Sequence, residues 1–140
     1  MGKHSLVVKE SWKIYVLVAL RVMTGLMMAY HGLEIFDAKV MAGYPDWEPI
    51  KNLPYPEFLV YFGKGLELLM GLFLAIGLFT RVSSFLIAVV MFFIAFKVGK
   101  GAFWYEDQHP FLFGLLAIVF ALVGPVAYSI DQILFKSNRR

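Results

Sequence analysis

Six ionisable side chains interrupt the long hydrophobic stretches of the sequence. Glu34 and Lys97 lie near the ends of their stretches, and the other four are of types that could do chemistry inside a membrane. Arg21 and His31 interrupt the first stretch, and Lys64 and Glu67 interrupt the second. Placing an arginine, a lysine or an aspartate at the centre of a bilayer costs about 2.5 to 3.5 kcal/mol. Such groups therefore face other helices, where they pair or act on a ligand. Basic groups could donate hydrogen bonds to the carbonyl oxygens of a quinone and a carboxyl group among them could carry protons, so these four residues form the candidate buried polar site.

Arg21 and Glu67 are the two deepest of these groups, and they are predicted to form a pair. Antiparallel packing of adjacent helices would place them within about one helical turn in depth. A guanidinium group also matches a carboxylate bidentately. One interpretation is that the pair only fixes two helices against each other. The other is that it lines a polar pocket for a quinone or a proton path.

Two rows of residues at helical spacing are predicted to face each other across the first two helices. The row on the second helix has a member every fourth residue: Gly63, Glu67, Gly71 and Ala75. The row on the first helix consists of Arg21, Thr24, Gly25, Met28 and Gly32. Small residues allow two helices to approach closely, or they leave a slot beside the carboxylate. Close packing of the two rows is the preferred interpretation.

His31 and His109 are predicted to lie near the same membrane surface. Two histidines raise the question of bis-histidine haem or a metal site, but nothing fixes their spacing, so neither haem nor metal is predicted. His31 and Lys64 are instead expected to shape the opening of the cavity that contains Glu67. The sequence has no cysteine, which excludes a dithiol relay, an iron–sulfur cluster and a cysteine-bound zinc in this chain.

The elements that must position these residues are hydrophobic helices. Each hydrophobic stretch is near the roughly 20 residues that cross a bilayer, and the predicted spans are about 14–36, 58–79, 82–98 and 110–124. Ser129 and Gln132 are typical of a capping box that opens a short cytoplasmic helix over about 130–136. Charged residues make up 16% of the chain, against about 25% in soluble proteins. The sequence predicts a single all-α integral membrane domain over 1–140, a four-helix bundle.

Basic residues near the ends of the spans set the predicted orientation. One side carries Lys3, Lys9, Lys13, Arg81, Lys136, Arg139 and Arg140. The other side carries Lys39, Lys51, Lys97 and Lys100. Seven against four places both termini in the cytoplasm of a multi-pass protein of the bacterial inner membrane. Because the basic residues flank the spans and form no stripe, no nucleic-acid partner is expected.

Two further expectations concern the connections between helices. The link near Thr80 and Arg81 is so short that the second and third helices must form an antiparallel hairpin. Acidic residues in the longer connections are expected to be solvated charges, and they are Glu34, Asp37, Glu106 and Asp107.

Four features of the sequence resemble the DoxX family of small four-helix membrane proteins. They are Arg21 with Tyr30-His31-Gly32, the stretch from Glu67 to Arg81 that ends in GLFTR, the loop at 101–103, and GPVAYSID at 124–131. The resemblance covers about 21–131 and implies the same fold. It carries over five candidate site residues, which are Arg21, His31, Glu67, Arg81 and Asp131. Arg81 and Asp131, together with His109, form a secondary set of candidate site residues.

The sequence departs from the family pattern at three places. Phe96-Lys97 replaces a histidine late in the third helix, Gln108-His109 replaces a glutamate that opens the fourth, and Ala127 replaces a basic residue. No catalytic role is carried over to those positions.

The resemblance also bears on function, because the family is related to the DoxD subunit of thiosulfate:quinone oxidoreductase. It implies a quinone-linked redox subunit that receives electrons from a partner, in a homo- or hetero-oligomeric complex surrounded by lipid. A non-catalytic structural or assembly subunit is the alternative. A small-solute transporter is less favoured because the sequence lacks the broken-helix repeats of secondary transporters.

Overall fold

The computed structural model describes residues 11–136, and every regular element in that range is helical. The long helices are α1 (Ser11–Gly32), α4 (Pro56–Ile76), α5 (Thr80–Phe93) and α6 (Gln108–Val123). The short helices are α2 (Ala38–Gly43), α3 (Glu48–Lys51) and α7 (Ile130–Lys136). Short 3₁₀ helices occupy Leu33–Phe36 and Tyr44–Asp46, and a π-helical turn occupies Ile94–Val98. The predicted all-α class is confirmed.

Three stretches of the described chain are long and apolar enough to cross a membrane: Trp12–Phe36, Pro56–Ile76 and Thr80–Val98. Helix α6 is apolar but has only 16 residues, so a fourth crossing stays a prediction. The cytoplasmic location of both termini also stays a prediction, because it depends partly on residues outside the described range, namely Lys3, Lys9, Arg139 and Arg140. We therefore name the two ends of the bundle by structure. The hairpin end carries 77–79 and α7, and the long-loop end carries 33–55 and 99–107.

Helices α4 and α5 form the tight antiparallel hairpin that the sequence predicts. Gly77 has a φ of 71°, which is a left-handed conformation that glycine adopts without strain. The N–H of Gly77 donates to the carbonyl of Leu74 at 3.1 Å, and the N–H of Leu78 donates to the carbonyl of Phe73 at 2.8 Å. These bonds close the end of α4 and turn the chain directly into α5.

The backbones of α1 and α4 approach each other at small residues. A Cβ atom added to Gly71 would lie 2.5 Å from the amide nitrogen of Ala29 and 2.8 Å from the carbonyl oxygen of Gly25. Gly25 in turn faces the backbone of Ala75. The predicted packing of the two rows is confirmed at these positions. It is wrong at Gly63, where an added Cβ would meet nothing within 4 Å, because this end of α4 faces a cavity.

The main core lies between the four long helices and is apolar. Its buried members are Met28, Met70, Leu74, Ile87, Ala88, Met91, Phe113, Ala117 and Phe120. A smaller cluster joins α2 and α3 to the start of α4, and its buried members are Met41, Ile50 and Val60. Large apolar side chains on the outward faces are exposed, among them Leu69, Phe85 and Leu122. This outward surface is the one that a multi-pass membrane protein presents to lipid.

Loop acids at the long-loop end organise the backbone, which corrects the expectation that they are merely solvated. Asp107 accepts the N–H groups of Lys100 and Ala102, both at 2.9 Å. Asp37 accepts the N–H groups of Lys39 and Val40 at 3.0 and 3.2 Å. A short acidic side chain is suited to this work, because it can satisfy backbone donors that lack a helical partner.

Candidate functional site

Four titratable side chains meet at the long-loop end, and we call Lys64, Glu67, Glu34 and Tyr44 the polar cluster. The Lys64 Nζ lies 3.0 Å from an oxygen of Glu67 and 3.0 Å from an oxygen of Glu34. The Tyr44 hydroxyl donates to Glu34 at 2.6 Å. Lys64 also lies 5.5 Å from the centroid of the Tyr44 ring. One ammonium group is thus held between two carboxylates and an aromatic ring.

Three different elements supply the polar cluster. Lys64 and Glu67 are three residues apart on α4, so their side chains share a face of the helix. Glu34 lies in the turn Leu33–Phe36 that follows α1, and Tyr44 begins the turn that follows α2. The side chain of Glu67 is 5% exposed, whereas that of Glu34 is 36% exposed. The cluster therefore runs from the bundle interior to the surface.

Tyr44 remains a hydroxyl donor throughout the physiological range. Burial raises the pKa of Tyr44, and its hydrogen bond to the Glu34 carboxylate raises it further. Both effects disfavour the phenolate, because a second negative charge beside Glu34 would be repelled in a poorly solvated place.

A cavity of about 580 Å³ adjoins the polar cluster. Most of its wall is apolar and comes from α4, α5 and the segment that contains α3. The residues that line it are Tyr44, Trp47, Ile50, Leu53, Leu59, Val60, Phe62, Gly63, Lys64, Leu66, Glu67, Leu86, Val89, Val90, Phe93, Ile94 and Val98. Four of these are also exposed: Trp47 in the connection, and Phe62, Val89 and Phe93 on the outer surface of α4 and α5. The cavity therefore reaches from the Lys64–Glu67 pair to the lipid-facing groove between α4 and α5.

The structure brings His31 and His109 together beside this cluster. Their ring centroids are 5.5 Å apart, and the ring of Phe113 packs edge-on against both, at 6.5 Å from His31 and 5.0 Å from His109. The carbonyl of His31 is 3.4 Å from the Lys64 Nζ. His109 is exposed and His31 is half-buried. Within residues 11–136 no group of three or more side chains is placed to hold a metal ion.

The predicted pair between Arg21 and Glu67 is wrong. Arg21 donates instead to the backbone carbonyl of Tyr128 at 2.8 Å and to that of Ala127 at 3.5 Å. Arg21 is nevertheless fully buried, at 1% exposure. Its guanidinium group therefore fastens the C-terminal segment to α1.

The register of α1 against α4 explains this error. Gly25 lies against Ala75 and Gly32 against Leu68. Two residues at the same depth, one on α1 and one on α4, therefore have numbers that sum to about 100. Arg21 is therefore level with the hairpin turn, about 12 residues along α4 from Glu67, or about 18 Å at 1.5 Å per residue.

The secondary candidates Asp131 and Arg81 lie at the hairpin end, away from the cavity. The Asp131 carboxylate accepts the N–H groups of Phe79 and Thr80 at 2.6 and 2.8 Å and the Thr80 hydroxyl at 2.7 Å. Arg81 donates to the carbonyl of Ala121 at 3.1 Å. Asp131 therefore joins α7 to the start of α5, and Arg81 joins the start of α5 to α6.

Sequence reasoning missed Glu34 and Tyr44 as members of the site. A signal for Glu34 existed, because it follows His31 by three residues and would share its face if α1 continued for another turn. Tyr44 carried no such signal, since its place depends on how a connection of about twenty residues folds back over α4.

The fold and the site define a small multi-pass membrane protein that holds an acid–base cluster at one end of an apolar cavity. A sequence model of the DoxX family matches residues 16–100, and the chain belongs to that family. It is also similar to a protein of Bacillus subtilis (strain 168) named "Putative oxidoreductase CatD", with 30% identity over 122 residues, which are 86% of this chain and 87% of that protein. No solved structure matches the chain. The family resemblance seen in the sequence is confirmed.

Proposed function

We propose that this protein is a quinone-binding redox subunit of a bacterial inner-membrane complex and that it receives electrons from a partner subunit. The observation that carries the proposal is the apolar cavity that joins the Lys64–Glu67 pair to the groove between α4 and α5. The relative named as an oxidoreductase supports redox chemistry in this family, and the absence of cysteine is consistent with an electron donor on another chain.

The cavity suits a quinone in size and in chemistry. Its volume of about 580 Å³ lies within the roughly 300 to 1,000 Å³ of small-molecule sites. A quinone head group needs a flat apolar slot and hydrogen-bond donors for its two carbonyl oxygens. Lys64 supplies an ammonium donor, and Trp47 and the apolar side chains supply the walls. The exposed positions of Phe62 and Phe93 give an isoprenoid tail a way out to the lipid.

The polar cluster suits the proton requirement of quinone reduction. Reduction consumes two electrons, which the partner subunit supplies, and two protons, which form the two O–H groups of the quinol. Glu67 is the acid placed at the cavity wall, and Lys64 holds the Glu67 carboxylate in position through a 3.0 Å contact. Glu34 and Tyr44 fix Lys64 from the opposite side.

The first experiment measures quinone by mass spectrometry in protein purified in a mild detergent, comparing wild type with Glu67→Gln. The matched control is Glu57→Gln, the same change at an exposed position of α4 outside the cavity. Loss of a charged hydrogen-bonding group costs about 1.5 to 3 kcal/mol, or about a 10- to 150-fold drop in affinity. We expect quinone in wild type and in the control, and depletion in Glu67→Gln at equal folded yield.

A second pair of variants tests the cavity itself. Val90 lines the cavity, whereas Val82 on the same helix is 57% exposed and lies outside it. Val90→Phe should abolish the quinone that copurifies with the protein, measured by mass spectrometry, and Val82→Phe should preserve it. Absence of quinone from every variant, together with copurifying partner proteins whose yield falls in Glu67→Gln, would reject the proposal in favour of a structural or assembly subunit.

A further inference from the structure

Glu67 needs a proton supply if it serves a quinone, and its own exposure does not provide one. The residue is 4% exposed, and a quinone in the cavity would exclude water from the side that faces α5. Titratable side chains approach Glu67 by two routes in the described structure. One runs through Lys64 to Glu34, and the other runs through His31 to His109.

The histidine route leads from the surface towards Glu67 through His109 and His31. His109, in the first turn of α6, is exposed, and its ring lies 5.5 Å from that of His31. The backbone of His31 lies beside Glu67, because the Lys64 Nζ is 3.4 Å from the His31 carbonyl oxygen and 3.0 Å from a Glu67 carboxylate oxygen. This closeness follows from the helix register, since Gly32 lies directly against Leu68. Phe113 packs against both imidazole rings and limits their movement.

The lysine route is chemically poorer, although Glu34 is partly exposed. A relay group must bind and release a proton at the working pH. A lysine amine in water has a pKa of about 10.4, so at pH 7 it is deprotonated in only about one molecule in 2,500. A histidine ring is suited to relaying a proton, because one ring nitrogen can accept a proton while the other releases one. Lys64 is also held between two carboxylates, which fixes it as a cation and suits it to positioning Glu67.

We propose that His109 and His31 relay protons between the solvent at the long-loop end and the Glu67 carboxylate. Each imidazole accepts a proton on one ring nitrogen and releases one from the other, which moves one proton per passage and leaves the ring in its other neutral tautomer. Rotation of the ring, or tautomer exchange through water, restores the starting form before the next passage. His31 and His109 belong to α1 and α6 and do not line the cavity, whose wall comes from α4, α5 and the segment that contains α3. Glu67 thus stands between a proton source and a quinone. This inference rests on the proposed function, because a quinone is what would consume the protons. The test of the relay needs no quinone.

The test follows protonation of Glu67 after a photolytic pH jump, by time-resolved infrared spectroscopy of the protein without quinone. The Glu67 carboxyl band is identified by its loss in Glu67→Gln. We expect His31→Ala and His109→Ala to slow the Glu67 signal by about 10²-fold, a typical contribution of one acid–base group. Added imidazole should restore the rate in both variants, which a merely structural role would not allow. His31→Phe, which keeps an aromatic ring against Phe113, should be slow and should not respond to imidazole.

Glu34→Gln is the competing variant, and it should leave the rate unchanged. Unchanged rates in both histidine variants, slowing in Glu34→Gln alone, or a Glu67 carboxyl that never exchanges its proton would each overturn the relay. Because no quinone is present, these results are independent of whether the cavity binds one. A relay without quinone binding would contradict the proposed function alone, and quinone binding without a relay would contradict this inference alone.

Discussion

Removal of the Asp131 carboxylate should destabilise the protein more than any other single change at the hairpin end. Three donors converge on this group, namely the N–H groups of Phe79 and Thr80 and the Thr80 hydroxyl, all within 2.8 Å. The Asp131 N–H also donates to the carbonyl of Gly77 at 2.9 Å. The first N–H groups of α5 have no partner in their own helix, and the positive end of the helix dipole favours an anion there. One side chain of α7 therefore caps α5.

The magnitude follows from what Asp131→Ala leaves behind. Asp131 is 3% exposed and Thr80 is 0% exposed, so water does not readily replace the lost oxygens. The N–H groups of Phe79 and Thr80 and the Thr80 hydroxyl all lose their acceptor. Because each buried donor left without an acceptor costs about 1 to 3 kcal/mol, Asp131→Ala should cost about 3 kcal/mol or more. Asp131→Asn keeps one acceptor oxygen and should cost about 1.5 to 3 kcal/mol, whereas Thr80→Val removes one hydroxyl and should cost about 1 kcal/mol.

Equilibrium unfolding in mixed micelles of a mild detergent and dodecyl sulfate, followed by tryptophan fluorescence, gives these free energies. The ordering of Asp131→Ala, Asp131→Asn and Thr80→Val is the result to examine. A loss of less than about 1 kcal/mol for Asp131→Ala would refute the reasoning. Such a loss is smaller than the contribution of a single hydrogen bond to a charged group, which is about 1.5 to 3 kcal/mol. Quinone affinity of the folded fraction should be unchanged, because Asp131 lies at the end of the bundle opposite the cavity.

Three further outcomes are expected. Gly71→Ala should lower the free energy of unfolding by about 2 kcal/mol or more, because the added Cβ meets the backbone of α1 and overpacking costs about 1 to 3 kcal/mol. Gly63→Ala, whose added Cβ meets nothing, should be neutral or slightly stabilising in the same assay. Tyr44→Phe should weaken binding of a short-chain quinone by about tenfold or less in fluorescence titration, because it frees Glu34 from one hydrogen bond. A cysteine at Lys51 in this cysteine-free chain should react with a membrane-impermeant maleimide in intact cells, and one at Ile133 should react only after permeabilisation. The reverse labelling pattern would invert the predicted orientation.

Much of the fold is predictable from the sequence because the determining signals are local or periodic. Long apolar stretches predict helices, and the short link before Arg81 permits only a hairpin. Glycines at spacing four on α4 predict the close approach to α1, and the structure has it at Gly71. Hydropathy gives less certainty for α6, whose 16 residues fall short of the other long helices.

The error over Arg21 and Glu67 has a specific physical cause. Hydropathy places a residue at a depth only to within a few residues of each span boundary, and it does not fix the register of one helix against another. The contact of Gly25 with Ala75 fixes the true register, and that register separates the two charges by three turns. Tyr44 was missed for a different reason, because its position depends on tertiary folding of a connection that has no periodic pattern.

The residues carried over from the family pattern separate by location, and the kind of partner each one has indicates its role. At the hairpin end, Arg21 and Arg81 donate to main-chain carbonyls, and Asp131 accepts main-chain N–H groups and one hydroxyl. None of these partners titrates, so such contacts hold one conformation. At the long-loop end, His31 lies beside the imidazole of His109, and Glu67 lies beside the Lys64 ammonium group. Proton movement requires neighbours that can both give and accept a proton, and among the described candidates only this end of the bundle provides them beside a cavity.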